Sequence, residues 1–315
     1  MSMGPQNQRR RRIRRIIIVL VVLMLVATVG GMVVLPSVIM GPMVDMHVSF
    51  SNTYDARDYG LKARELTLYT EDGYAISAFE VDAEDPRAVL IFISGIHNPS
   101  VTAFFGHAQV FRENGYASIL YDMRAHGKSD GELVSLGYLE TRDTQAVVDY
   151  ILTQERYQGV PIIVYGLSMG GAVAINSAGQ IPEIAGLVSI SAYSSWEDVF
   201  ADSMVNMGLP QCVANLQKPF VKLYSMWKFG WSTRDNYPAE QIKNLGNRPA
   251  LLMHSDEDSQ VSSANLPRIL QDAPNHVETW TRPGDEHFFT ADFLHPEGDP
   301  EYVQRVLRFL TENFE

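Results

Sequence analysis

Gly166-Leu167-Ser168-Met169-Gly170 sets a serine between two glycines at the spacing G-x-S-x-G. The apolar run 161–165 leads in and reads as a buried strand, and the small-residue run 171–178 leads out and reads as a helix. A serine on a sharp strand-to-helix turn must hold a strained backbone. Small neighbours let the chain cross there, and the turn pushes Oγ clear of the sheet. The helix N-terminus then lies under the serine and favours negative charge on whatever the serine attacks. This is chemistry for nucleophilic attack on an acyl carbon.

A serine hydroxyl is a weak nucleophile at its own pKa, so it needs a base within hydrogen-bond reach and a carboxylate that orients the base. On a sheet of this kind the acid and then the histidine are expected later in the chain, each in a loop after the C-terminal end of a strand. Of the eight histidines, His276, His287 and His295 lie beyond a plausible acid. His276 opens a strand and His295 sits deeper in the following segment. His287 stands in Pro283-Gly284-Asp285-Glu286-His287, directly after the strand ending near Thr281, and is the candidate base. Leu251–His254 reads as another strand, and its exit loop crowds Asp256, Glu257 and Asp258 together. Three carboxylates cannot all be ionised in one dry site, so at least two face solvent. Asp258, furthest into the loop, is the preferred acid, with Asp256 the alternative; Asp285 and Glu286 read as solvated loop charges. The two backbone donors of an oxyanion hole are expected from Met169, next to the nucleophile, and from Ile96 in the loop Ser94-Gly95-Ile96-His97-Asn98. No histidine pair shows ligand spacing such as H-E-x-x-H, so no metal and no cofactor is expected.

These residues need a scaffold that sets loops side by side. Leu66–Thr70, the turn Glu71-Asp72-Gly73 and Tyr74–Val81 give a hairpin signal. Short apolar runs at 88–93, 117–121, 161–165, 184–190, 250–254 and 276–281 then alternate with helical stretches near 101–114, 138–156, 169–180, 262–272 and 299–314. That alternation predicts an α/β fold: a mostly parallel sheet with helices on both faces. The last helix carries Val303, Val306, Leu307 and Leu310 at helical spacing and is expected to cap the sheet. From about 196 to 245 there is no strand pattern. Trp196, Phe200, Met204, Met207, Tyr224 and Trp227 in this segment suggest a small helical lid whose apolar residues line an acyl pocket or simply glue the lid down.

The first residues are of another kind. Six of the 25 basic residues lie between Arg9 and Arg15, and no charge follows from Ile16 to Val44. The expected organisation is a basic cytoplasmic tail over 1–15, a transmembrane signal anchor over 16–40, a polar linker over 45–63 and one hydrolase-sized domain over 64–315. The apolar run is longer than a cleaved signal needs, and no clean A-x-A-like site follows it. The catalytic domain is expected on the exoplasmic side. The remaining 19 basic residues face all 37 acidic ones, a balance that repels nucleic acid and excludes it as a partner. The single cysteine, Cys212, excludes an internal disulfide.

Together these residues resemble the α/β-hydrolase family of serine hydrolases, from about Leu66 to the C-terminus. Besides the serine turn, Asp122-Met123-Arg124-Ala125-His126-Gly127-Lys128-Ser129 is similar to the family's D-x-R-G-x-G-x-S loop, and Pro249–Asp258 to its P-x-L-x-x-H-G-x-x-D acid segment. That similarity selects Asp258 independently, and His287 matches the family's histidine loop. Ser94-Gly95 replaces the usual His-Gly, and Ser255 replaces the usual glycine. The resemblance implies an acyl-enzyme reaction on a small-molecule acyl substrate. A carboxylic ester with an apolar acyl group is the leading expectation; a thioester, an amide or peptide, and transfer to an acceptor alcohol are the alternatives. A non-catalytic binding protein that keeps the fold is the rival class.

Overall fold

The computed structural model describes residues 5–97 and 99–314; Asn98 of the expected oxyanion loop and residues 1–4 of the expected tail lie outside them. The sheet has eight strands: β1 (Ala63–Tyr69), β2 (Ala75–Val81), β3 (Val89–Ile93), β4 (Ala117–Tyr121), β5 (Ile162–Leu167), β6 (Ile184–Ile190), β7 (Ala250–Ser255) and β8 (Glu278–Arg282). Their order is β1-β2-β4-β3-β5-β6-β7-β8. The first two strands pair antiparallel and β2 meets β4 antiparallel, while every pairing from β4 through β8 is parallel. This is the α/β-hydrolase fold.

The helices are α1 (Pro5–Val44), α2 (Phe105–Glu113), α3 (Thr141–Thr153), α4 (Met169–Gln180), α5 (Trp196–Asn206), α6 (Gln211–Phe229), α7 (Pro238–Gln241), α8 (Asn265–Leu270) and α9 (Pro300–Phe314). Side chains alternate across a strand, and both faces of the central strands are buried, so each strand feeds two cores. Val89, Ile91 and Ile93 of β3 pack with Ile162 and Val164 of β5 on the face covered by α3 and α4. Leu90 and Phe92 pack with Ile163, Tyr165 and Leu167 on the face covered by α2 and α9. The buried face of α9 is Tyr302, Val306, Phe309 and Leu310; Val303 and Leu307 lie at its edge. The aromatic pair completes a stripe that the aliphatic spacing marked only in part.

The segment between β6 and β7 is helical, with α5, α6, α7 and two short 3-10 turns. The stretch 45–63 does not hang free as the expected polar linker. Val48 is buried and bridges to His126, the His47 ring bonds the carbonyls of Gly131 and Gly127, and the 3-10 turn Ala56–Tyr59 buries its two end residues, with Leu61 buried just after it. Nor does α1 stop at residue 40: it continues to Val44, and Met40 and Val44 are buried in the core. Over Arg9–Val44 this helix is long and apolar enough to cross a membrane.

The loop after β4 is held by a buried cation. The Arg124 guanidinium bonds Asp143 of α3 (Nε to Oδ1, 2.9 Å) and Asp72 of the β1–β2 turn (Nη1 to Oδ2, 2.8 Å), and the Arg124 amide bonds the second Asp143 oxygen at 2.8 Å. Its charge also lies 4.7 Å from the Tyr74 ring centre. The Asp143 side chain has no exposed surface. Removing it leaves a buried guanidinium short of one partner, which costs about 3–5 kcal/mol when pairing is lost outright. Asp72 remains, so Asp143→Ala is expected to destabilise by about 3 kcal/mol. Chemical denaturation of the full chain in detergent, followed by circular dichroism, measures this; a loss below about 1 kcal/mol contradicts it.

Candidate active site

Ser168 sits where β5 becomes α4, with φ 57° and ψ −119°. Its amide donates to Ile190 O at 2.8 Å, and its carbonyl accepts from Ala172 at 3.0 Å, so both ends of the strained residue are tied. The flanking glycines are required by space. A Cβ on Gly166 would lie 2.0 Å from the Gly170 carbonyl oxygen, and one on Gly170 would lie 2.2 and 2.3 Å from the oxygens of Ile93 and Ser94. The G-x-S-x-G spacing is therefore the imprint of a strand and a helix crossing against the end of β3.

That contact brings the two expected oxyanion donors into one region. Met169 opens α4, and the first amides of a helix have no partner within it. Ile96 stands in the loop after β3, and both residues line the cavity that holds Ser168. Ser94, in place of the family's histidine, closes this loop by donating from Oγ to Pro99 O at 2.5 Å. His126 Nδ1 bonds the Arg124 carbonyl at 2.9 Å, which places its proton on Nδ1. Its Nε2 then accepts from the His97 amide at 3.4 Å, a long bond that ties the residue after Ile96 to the β4 loop. Burial lowers the His126 pKa, which keeps that lone pair free.

The exit loops of β7 and β8 are laced together. The Asp256 and Glu257 amides bond the carbonyls of Arg282 and Gly284, Asp256 Oδ1 accepts from the Gly284 amide at 2.9 Å, and Ser255 Oγ donates to Glu286 O at 2.7 Å. Ser255, where the family has glycine, thus serves as a cross-link. Asp256 and Glu257 are exposed and Asp258 is buried. The structure brings Asp258 together with His287: Nδ1 to Oδ2 is 2.7 Å. Asp258 Oδ1 accepts from the amides of Gln260 and Val261, each at 2.9 Å. Burial pushes the Asp258 carboxyl up, but the hydrogen bond from His287 and the two amides outweigh it, so the net shift is downward. An ionised carboxylate only accepts, so His287 carries its proton on Nδ1 and keeps a lone pair on Nε2. His276 and His295 are elsewhere, bonded to Arg248 O and to Glu297.

Ser168 and His287 share a cavity of about 300 Å³, which Tyr193, Trp196, Phe200 and Met204 line from the β6–β7 segment. Three further lining residues, Ile39, Met40 and Met43, come from α1. Nothing in the sequence reading pointed to them, because contact between segments so far apart leaves no periodicity. His254 was also missed. Its Nε2 donates to Val261 O at 2.9 Å and lies 3.5 Å from Asp258 Oδ2, behind the acid loop.

Residues 84–244 match the sequence model of the family described as serine aminopeptidase, S33. The chain is 23% identical over 206 residues to the protein YqkD of Bacillus subtilis, covering 63% of this chain and 64% of that one. It is 24% identical over 231 residues to the mouse phospholipase ABHD3, covering 61% and 55%. The aligned part therefore spans less than two thirds of these relatives. Among solved structures, the Pyrococcus furiosus esterase Pf2001 is similar with a TM-score of 0.66 at 21% identity, over 86% of this chain and 99% of the esterase. At that identity the likeness carries the fold.

The crossing at Ser168 yields a direct test. Gly170→Ala sets a methyl against two backbone oxygens that no rotamer change can move. The expected cost is about 3 kcal/mol, at the upper end for overpacking, with loss of any reactivity at Ser168. Thermal denaturation together with labelling by a fluorophosphonate reads both. Unchanged melting would mean the crossing is looser than described.

Proposed function

The chain belongs to the serine aminopeptidase S33 family of hydrolases, and on that premise we propose that it cleaves a carboxylic ester with an apolar acyl group through an acyl-enzyme. The observation that carries this reading is the single cavity that is apolar along its walls and holds Ser168 and His287, with His287 bonded to buried Asp258. In the proposed reaction Ser168 Oγ attacks the acyl carbon while His287 Nε2 takes its proton. The charge that develops on the carbonyl oxygen is held by the Ile96 and Met169 amides. His287 then gives its proton to the leaving alcohol oxygen, which frees the alcohol and leaves the acyl group on Ser168. Water attacks next, with His287 again taking and returning a proton, and the carboxylic acid departs. Asp258 holds the histidine tautomer throughout. No metal or cofactor is needed.

The family description names a peptidase. An aminopeptidase must neutralise a substrate ammonium, and among the described residues the cavity lining holds no carboxylate. That favours the acyl reading, as does the similarity to the mouse phospholipase. A thioester, or transfer to an acceptor alcohol in place of water, uses the same atoms. Product formation that depends on an added alcohol identifies the transferase.

Ser168→Ala is expected to lower ester hydrolysis by about 10⁶-fold, as loss of a nucleophile of this kind does. Asp258→Asn is expected to cost about 10⁴-fold, because the amide favours the wrong tautomer of His287. Asp256→Asn, at an exposed carboxylate that only caps Gly284, is expected to be mild. A 4-nitrophenyl ester series measures all three. Full activity in the serine variant would end the reading, and reversed aspartates would overturn the acid assignment alone.

We further infer that residues 1–15 form a cytoplasmic tail, that α1 from Ile16 anchors the chain in a membrane, and that the hydrolase domain lies on the exoplasmic side with the α5–α7 segment as its lid. Each arginine costs about 2.5–3.5 kcal/mol at the centre of a membrane helix, so the six-arginine cluster stays where it is made. The chain is expected to resist carbonate extraction and to be digested only by protease on the exoplasmic face. Digestion from the cytoplasmic face would reverse the topology.

A further inference from the structure

One side of the cavity is built by α1. Its residues Ile39, Met40 and Met43 face Ser168 and His287 across the cavity. The Met43 carbonyl also accepts from His97 Nε2 at 3.3 Å, so the same turn of α1 touches the loop that carries Ile96. The rim of the cavity includes Ile39, 42% exposed, and Met207 at the end of α5, 68% exposed. The opening therefore lies between the apolar helix and the tip of the α5–α6 pair.

The level of that opening follows from how α6 lies on α1. Gln217 Nε2 donates to Met32 O at 2.7 Å, and Lys228 Nζ pairs with Asp45. The two contacts advance in the same direction along both helices, so the helices run side by side and parallel. The start of α6, with Val213 and Leu216 exposed, is level with the part of α1 just before Met32. A bilayer core needs about 20 helical residues. Counted from Ile16, it ends near Leu35, just past the level of Gln217 and about 6 Å along the helix from Ile39, so the start of α6 lies level with the apolar span. Met207, Val213 and Leu216 add exposed apolar side chains to those that α1 presents.

We propose that the cavity is filled from the bilayer. The tip formed by Met207, Val213 and Leu216 dips into the apolar part of the bilayer, and the acyl chain of a membrane lipid ester passes along α1, between Ile39 and Met207, to reach Ser168. An acyl chain taking this path exchanges lipid for protein without meeting water, so no hydrophobic free energy is lost on the way. The headgroup side of the ester stays toward the interface, which fixes the substrate class as bilayer-resident esters rather than dissolved ones. This rests on the ester reading given above.

The test uses the full chain in phosphatidylcholine vesicles with two substrates, 4-nitrophenyl butyrate in water and 4-methylumbelliferyl palmitate dissolved in the bilayer. Val213→Glu with Leu216→Glu changes the tip without touching the cavity. It is expected to lower palmitate hydrolysis by about tenfold or more and to leave butyrate hydrolysis within about twofold. An equal effect, or none, on the two substrates overturns the proposal. Placement is read independently of catalysis by Leu216→Cys in a Cys212→Ser background, labelled with bimane and quenched by lipids brominated along the acyl chain. Quenching is expected, and a label that these lipids leave unquenched overturns the proposal. If the unsubstituted chain cleaves neither ester, the ester reading fails, while the quenching still decides whether the tip meets the bilayer.

Discussion

The close crossing of β5, α4 and the end of β3 is the constraint on which the site depends. Ser168 keeps a φ of 57° there, a conformation that costs on the order of 1–3 kcal/mol for a residue with a Cβ. The cost is met by surroundings that allow no alternative: buried strands on both sides, two tied backbone groups and glycines with no room for a methyl. Gly170 rests on the oxygens of Ile93 and Ser94, so the Ser168 turn and the loop carrying Ile96 cannot drift apart without breaking that contact. Strain at one residue and distance across the cavity are thus fixed by the same packing.

The electrostatic half of the site follows a different logic. A buried carboxylate is stable only when donors surround it, and Asp258 has two amides and the His287 ring around its oxygens. His254 closes the back of this loop by its bond to Val261 O, with burial lowering its own pKa so that it remains neutral behind the pair. The loops themselves are laced by Ser255 and by the Asp256 cap on Gly284. Charges that face solvent thus build the frame, and the one that does not face solvent meets the histidine. The Arg124 cluster does the same one layer away, holding the β4 loop whose His126 ties the amide of His97.

Much of this was legible because it leaves local marks. Alternating apolar runs gave all eight strands, and the sharp turn gave Ser168. Crowding of three acids in one exit loop implies that at least two face solvent, and the position of Asp258 furthest into the loop marks it as the one to be buried, as it is. The departures Ser94 and Ser255 are cross-links, to Pro99 O and Glu286 O, which residue types alone do not reveal. Residues 45–63 were misread because polar composition marked them as a linker. Their few apolar members, Val48, Ala56, Tyr59 and Leu61, have no regular spacing and are buried by partners far along the chain. The same limit hid Ile39, Met40 and Met43. A run of apolar residues long enough for a membrane gives no hint that its last turns belong to a cavity wall.

The consequence is that the apolar helix and the folded domain are one mechanical unit. Val134 donates its amide to Val44 O, Val48 bridges to His126, and Met40 and Val44 are buried in the same core as the strands. The α6 helix is fastened to α1 near both ends, through Gln217 and Lys228. A swing of α5 and α6 away from the cavity would break both contacts. Ile39 and Met207, on the cavity rim, are already exposed. On the proposed route, access to Ser168 depends on the edge where α5 meets α1 and not on hinge motion of the whole helical segment. The position of α1 sets both the width of that edge and its height above the apolar span.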